Sequence, residues 1–91
     1  MNENTRELGL YAVNTAGLYA MRRAIEKNLA RKVKLGVYDA EKAVGAWEHF
    51  ATAAAKEYHR EHGTPAVPWH RMFPRSVRRA LARVLSESWE A

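Results

Sequence analysis

The segment from Leu18 to Lys34, LYAMRRAIEKNLARKVK, carries two opposed surfaces on a single period. Leu18, Met21, Ile25, Leu29 and Val33 recur at steps of three and four, which lines them up along one side of a helix. Arg23, Lys27, Arg31 and Lys34 fall near the opposite side, with Arg22 close by. Such a helix needs apolar partners for its stripe and leaves a basic ridge outside. The rest of the chain must therefore provide matching apolar faces.

Two further segments supply them. After Gly36, a C′ glycine, and the short link Val37-Tyr38, Asp39 stands where a helix should start, its carboxylate facing the free amides of the first turn. From Ala40 to about His62, Val44, Trp47, Ala51, Ala54 and Tyr58 share a face, with Phe50 beside them. Alanines 51, 53, 54 and 55 form a thin patch where another helix can approach closely. Glu41, Lys42, Glu48, Lys56 and Arg60 are expected to face water, and Gly63 to end the helix. Pro74 suits the first turn of a last helix reaching about Trp89, with Val77, Leu81, Val84, Leu85 and Trp89 inward and Arg75, Arg79 and Arg83 outward. Glu87 and Glu90 oppose the dipole at its end, so fraying is expected there.

The N-terminal part is less determined. A helix of roughly two turns starts after Asn4 or Thr5, either of which can cap. Asn14-Thr15-Ala16-Gly17 interrupts it, with Asn14 or Thr15 capping the next helix. The alternative is one unbroken helix from Thr5 to Leu35. Between the later helices, Thr64 to Phe73 reads as a loop kept extended by Pro65 and Pro68, with Val67, Trp69, Met72 and Phe73 folding back over the core.

The expected fold is all-α: one domain over residues 1–91, a compact bundle of three main helices with a short extra helix at the N-terminus. Ala-rich segments with few Val, Ile and Thr favour helix over strand. With no cysteine, neither a disulfide nor a thiolate metal site can form. MNENTRELGLY has no basic region followed by an apolar core, and no apolar run approaches the roughly 20 residues needed to span a bilayer. A cytoplasmic protein is expected, with no membrane partner.

Catalysis finds little support. There is no G-x-G-x-x-G, P-loop, G-x-S-x-G or H-E-x-x-H, and Ser76, Ser86 and Ser88 sit on a predicted helix, where they look like ordinary polar positions. His59 and His62, three apart, share a helical face and a spacing that can chelate a metal, yet two ligands do not make a site. The plainer reading is a hydrated helix end, with His62 near the dipole. Neither an enzyme nor a cofactor or metal is expected.

Charge is the remaining signal. The net charge is +5, and it is uneven: Arg22 to Lys34 holds six basic residues and one acid, and Arg71 to Arg83 holds five and none. Leu35 to Gly63 has three basic residues against five acids. The leading expectation is nucleic acid or nucleoprotein, contacted along the backbone by Arg22, Arg23, Lys27, Arg31, Lys34, Arg75, Arg79 and Arg83. No convincing helix-turn-helix accompanies them, since the helix after Gly36 is acidic and Ala-rich. The plainer reading is a pair of solvated outer faces. The competing class is protein binding, with Trp69, Arg71, Met72 and Phe73 as an anchor cluster and Tyr19 beside the basic ridge. Its plainer reading is a lid over the core. A monomer or weak homodimer is expected.

The blocks AVNTAGLYAMRRAIEKNLARKVKLGVYDAEKAVGAW, AAAKEYHREHGTP and WHRMFPRSVRRALA together resemble small uncharacterised helical proteins encoded by tailed bacteriophages and related mobile elements. The likeness covers most of the chain. It implies an accessory gene product that binds host machinery, including defence systems, or nucleic acid; no activity travels with it.

Overall fold

Asp39 sets the start of the element around which the others gather. Its carboxylate accepts from the amides of Glu41 at 2.9 Å and Lys42 at 3.3 Å, and Glu41 adds negative charge to the same turn. In the computed structural model, which describes residues 2–62 and 67–90, the helices are α1 (Glu3–Asn14), α2 (Ala16–Leu35), α3 (Ala40–Glu61), α4 (Trp69–Met72) and α5 (Arg75–Glu90). Among the described residues there is no strand. The architecture is the expected all-α bundle, with α2, α3 and α5 as its three long helices and α1 and the single turn α4 added to them.

The centre, however, is α3 and not α2. Helix α3 packs against each of the other four helices and buries Ala43, Val44, Trp47, Phe50, Ala51, Ala54 and Ala55. The alanines let α5 approach closely, and α5 answers with Val77, Leu81 and Ala82. The two run antiparallel: Arg78 of α5 meets Thr52, while Glu90 at its far end meets Tyr38 just before α3. Trp47 and Phe50 lie edge to face at 5.9 Å, and Phe73 meets Tyr58 edge-on at 5.2 Å, so aromatic rings fill the wider part of the core.

Helix α1 starts earlier than expected. Asn2, not Asn4 or Thr5, caps it, because its side chain accepts from the Thr5 amide at 2.8 Å. Thr5 is thereby inside the helix and buried. The break before α2 is present, with Thr15 as the cap residue in extended conformation, so the chain is not one unbroken helix. The Thr15 hydroxyl donates back to Tyr11 O at 2.6 Å and leaves the α2 amides uncapped.

Helix α2 ends at Gly36 as its sequence implies. Gly36 takes φ 74°, and the amides of Gly36 and Val37 bond to Val33 O and Lys32 O at 3.1 and 2.9 Å. Only Leu18 and Leu29 of its 20 residues are fully buried. Met21 and Ile25 are half-buried, and Val33, expected inward, is 53% exposed. Each four-residue step advances the side chain about 40° beyond a full turn, so by Val33 the row has rotated off the contact. The molecule is elongated, 46 × 24 × 17 Å.

Other expectations shift on α3 and α5. Glu48 is not a water-facing residue; it sits in the α3–α5 seam. Val84 is exposed rather than inward, and Ser86 is buried. The end of α5 is held by the Tyr38 hydroxyl, which donates to Glu90, and by the Tyr38 ring, which lies tilted by 33° against Trp89 at 5.9 Å. The expected stop at Gly63 and the Thr64–Pro65 part of the loop lie outside the described residues. No described helix is long and apolar enough to cross a membrane.

Candidate nucleic-acid interface

The basic residues of α5 divide by position. Arg75 donates to one oxygen of Glu48 at 3.0 Å and Arg79 to the other at 2.7 Å, and Arg79 also approaches Glu41 at 3.6 Å. Arg78 donates to Phe73 O at 3.1 Å and Thr52 Oγ1 at 2.7 Å, with its guanidinium 5.3 Å from the centre of the Trp69 ring. Arg75 and Arg79 of the expected outer face, together with Arg78, thus fasten α5 to α3 and α4. Burial opposes ionisation of Glu48, but the hydrogen bonds and charges of Arg79 and Arg75 outweigh it and hold the carboxyl below its usual range. Arg83 remains exposed.

Helix α2 presents the opposite case. Arg23, Lys27, Arg31 and Lys34 are exposed, and among the described residues Lys27, Arg31 and Lys34 have no ion-pair partner. Arg22 and Arg23 both lie near Glu26, at 3.8 and 3.4 Å, in surface pairs that hold little energy. The two basic segments do not merge into one surface. Helices α2 and α5 flank α3 and come together where Arg22 and Glu26 share a groove with Leu85, Ser88 and Trp89, at the end of α5 remote from Arg75 and Arg79. The eight cations expected to act together are therefore separated into a ridge on α2, where Lys27, Arg31 and Lys34 are exposed and, among the described residues, only Arg22 and Arg23 pair, with Glu26, and a set on α5 of which Arg75 and Arg79 are paired with Glu48.

The aromatic cluster is largely internal as well. Phe73 has 0% exposure and belongs to the core, so it is corrected from a candidate anchor to a structural residue. Trp69 is half-buried, with Lys56 at 5.7 Å as well as Arg78 over its ring. Met72 packs against the core, and its carbonyl accepts from Asn4 at 3.2 Å; Arg71 alone of the four is exposed. His62 stacks on Tyr58 at 4.1 Å and makes a 3.0 Å contact with Tyr58 O through Nδ1. Among the described residues no three metal-ligating side chains converge.

Three tyrosine–glutamate bonds escaped the sequence reading. Tyr11 donates to Glu61, Tyr58 to Glu7 at 2.8 Å and Tyr38 to Glu90. The partners lie 50 to 52 residues apart, so no local pattern marks them. Burial and the Glu61 bond push the Tyr11 hydroxyl up to about 12. The Glu7 bond, then burial, raises Tyr58, and burial, then the Glu90 bond, raises Tyr38. An apolar groove of about 290 Å³ between α1 and α5, edged by Leu10, Val13 and Val84, was not anticipated either.

No family model, no curated protein and no solved structure matches the chain.

Proposed function

We propose that this is a small, non-enzymatic accessory protein, of the kind phages and mobile elements encode, that contacts nucleic acid or a nucleoprotein along the backbone. The contact surface is the exposed side of α2, with Arg23, Lys27, Arg31 and Lys34 as its core and Arg22 at its margin. The observation that carries this reading is the contrast between the two basic helices. The arginines Arg75, Arg78 and Arg79 of α5 are engaged with Glu48, Thr52 and Trp69, whereas Lys27, Arg31 and Lys34 are exposed and, among the described residues, unpaired on a helix that buries two residues. A ridge that contributes so little to the core has its charge free for phosphate. Arg83 and Arg71 add to the general positive field.

The alternative, a protein-binding regulator or inhibitor of host machinery anchored by Trp69, Arg71, Met72 and Phe73, has less support. Its largest apolar side chains are already engaged within the molecule.

The test is fluorescence anisotropy with a labelled generic oligonucleotide across a salt series. Four phosphate contacts give a log–log slope of about −3 to −4. Absence of binding at low salt rejects the reading.

A further inference from the structure

The α2 surface contains one residue that its charge does not explain. Tyr19 is 62% exposed, near the start of the helix. Each of the other tyrosines donates to a glutamate: Tyr11 to Glu61, Tyr38 to Glu90, Tyr58 to Glu7. Among the described residues Tyr19 has neither a hydrogen bond from its hydroxyl nor an aromatic neighbour within the molecule. It contributes no contact to the core cluster.

Its position follows from helical geometry. At about 100° per residue, Tyr19, Arg23, Lys27, Arg31 and Lys34 fall in one sector about 120° wide. The other residues in that sector are Ala16, Ala20 and Ala30, all exposed, which leave the helix surface low enough for a strand to lie close. No carboxylate falls within it. Glu26, the one acid of α2, lies at its border beside Arg22 and Arg23. The sector therefore combines a planar ring, a file of cations and a small-residue floor.

A paired duplex offers phosphates to the cations but keeps its bases stacked inside, so it gives the ring nothing. A single strand offers both phosphates and unstacked base faces. We infer that the ligand of the α2 sector is single-stranded nucleic acid, with one base stacked on Tyr19 and the adjoining phosphates on Arg23, Lys27 and Arg31. This rests on the nucleic-acid reading above and specifies its partner.

The test compares three labelled probes of about 12 nucleotides, within the usual span of a strand-binding site. They are a mixed-sequence DNA strand, its duplex with the complement, and an abasic strand of equal length. Each is titrated at low salt against the protein and against Tyr19→Ala and Tyr19→Phe. The strand is expected to bind more tightly than the duplex or the abasic strand. Tyr19→Ala should weaken the strand about tenfold and leave the other two unchanged, while Tyr19→Phe keeps the affinity. Because Tyr19 is exposed and outside the core, circular dichroism should show both variants folded. Equal binding of all three probes, or a strand affinity indifferent to Tyr19→Ala, overturns this inference while leaving the nucleic-acid reading intact. Failure of every probe to bind overturns both.

Discussion

Arg79 donates to Glu48 at 2.7 Å, and that bond makes a periodic surface arginine part of the α3–α5 seam. With Arg75 on the other oxygen, Glu48 is held below the ordinary 4.5. The unfolded chain then takes up this proton first as pH falls. The contribution is whole above the ordinary carboxylate range and is lost as pH drops through the lowered value. Glu48→Gln keeps the shape and removes the charge. It should cost about 1–2 kcal/mol at neutral pH in urea unfolding and make stability less sensitive to acid.

The tyrosine clamps act at the other end of the scale. Tyr11 is raised to about 12 in the folded protein, so the unfolded chain ionises first as pH climbs. The stability it contributes is complete below the ordinary 10 and is lost as pH rises to about 12. Tyr58 shifts in the same direction. Melting temperature followed from neutral pH upward should fall steeply in that window. Tyr11→Phe should flatten the fall and cost about 0.5 kcal/mol at neutral pH, the small value suiting a partly exposed hydrogen bond.

Two glycines should respond with opposite sign. Gly36 closes α2 at φ 74°, where a Cβ is strained, so Gly36→Ala should cost about 1 kcal/mol. Gly45 lies mid-helix in α3, and a Cβ there meets nothing within 4 Å. Gly45→Ala should gain about 0.5–1 kcal/mol by helix propensity, read from the urea midpoint.

The lid residues should separate by burial. Phe73→Ala removes a fully buried ring and should cost about 3–5 kcal/mol, a large share of what a domain this size possesses. Trp69→Ala, at a half-buried site with two cations over the ring, should cost about 1–2 kcal/mol and leave the protein folded. Equal losses would contradict this placement of the two.

Local chemistry explains what the sequence made visible. Asp39, Gly36 and the Asn14–Gly17 break act through bonds a few residues away, and each lies where its residue type predicts. The apolar face of α3 is legible because Trp47, Phe50 and the alanines obey a helical period. Residue type does not report which helix lies at the centre, since α2 and α3 both carry stripes; that depends on which stripe meets the others. Arg75, Arg79 and Arg83 repeat every four residues like an exposed ridge, and nothing within α5 discloses that Glu48, 27 residues from Arg75, receives two of them. Tyr38 and Glu90 are hidden from local reasoning for the same reason. Of the candidate interface, the α2 ridge was legible and its separation from the α5 arginines was not.

The proposed nucleic-acid surface on α2 depends on where the positive charge lies and not on its total. Lys27→Glu with Arg31→Glu and Arg71→Glu with Arg83→Glu each change the net charge by −4, from +5 to +1, at exposed positions. Affinity of the same labelled strand is measured for both at one low salt concentration, with helicity checked by circular dichroism. The α2 pair is expected to lose binding by about a hundredfold while the other pair loses a fewfold at most. Equal losses in the two would show that net charge alone governs binding and would overturn the proposed α2 surface.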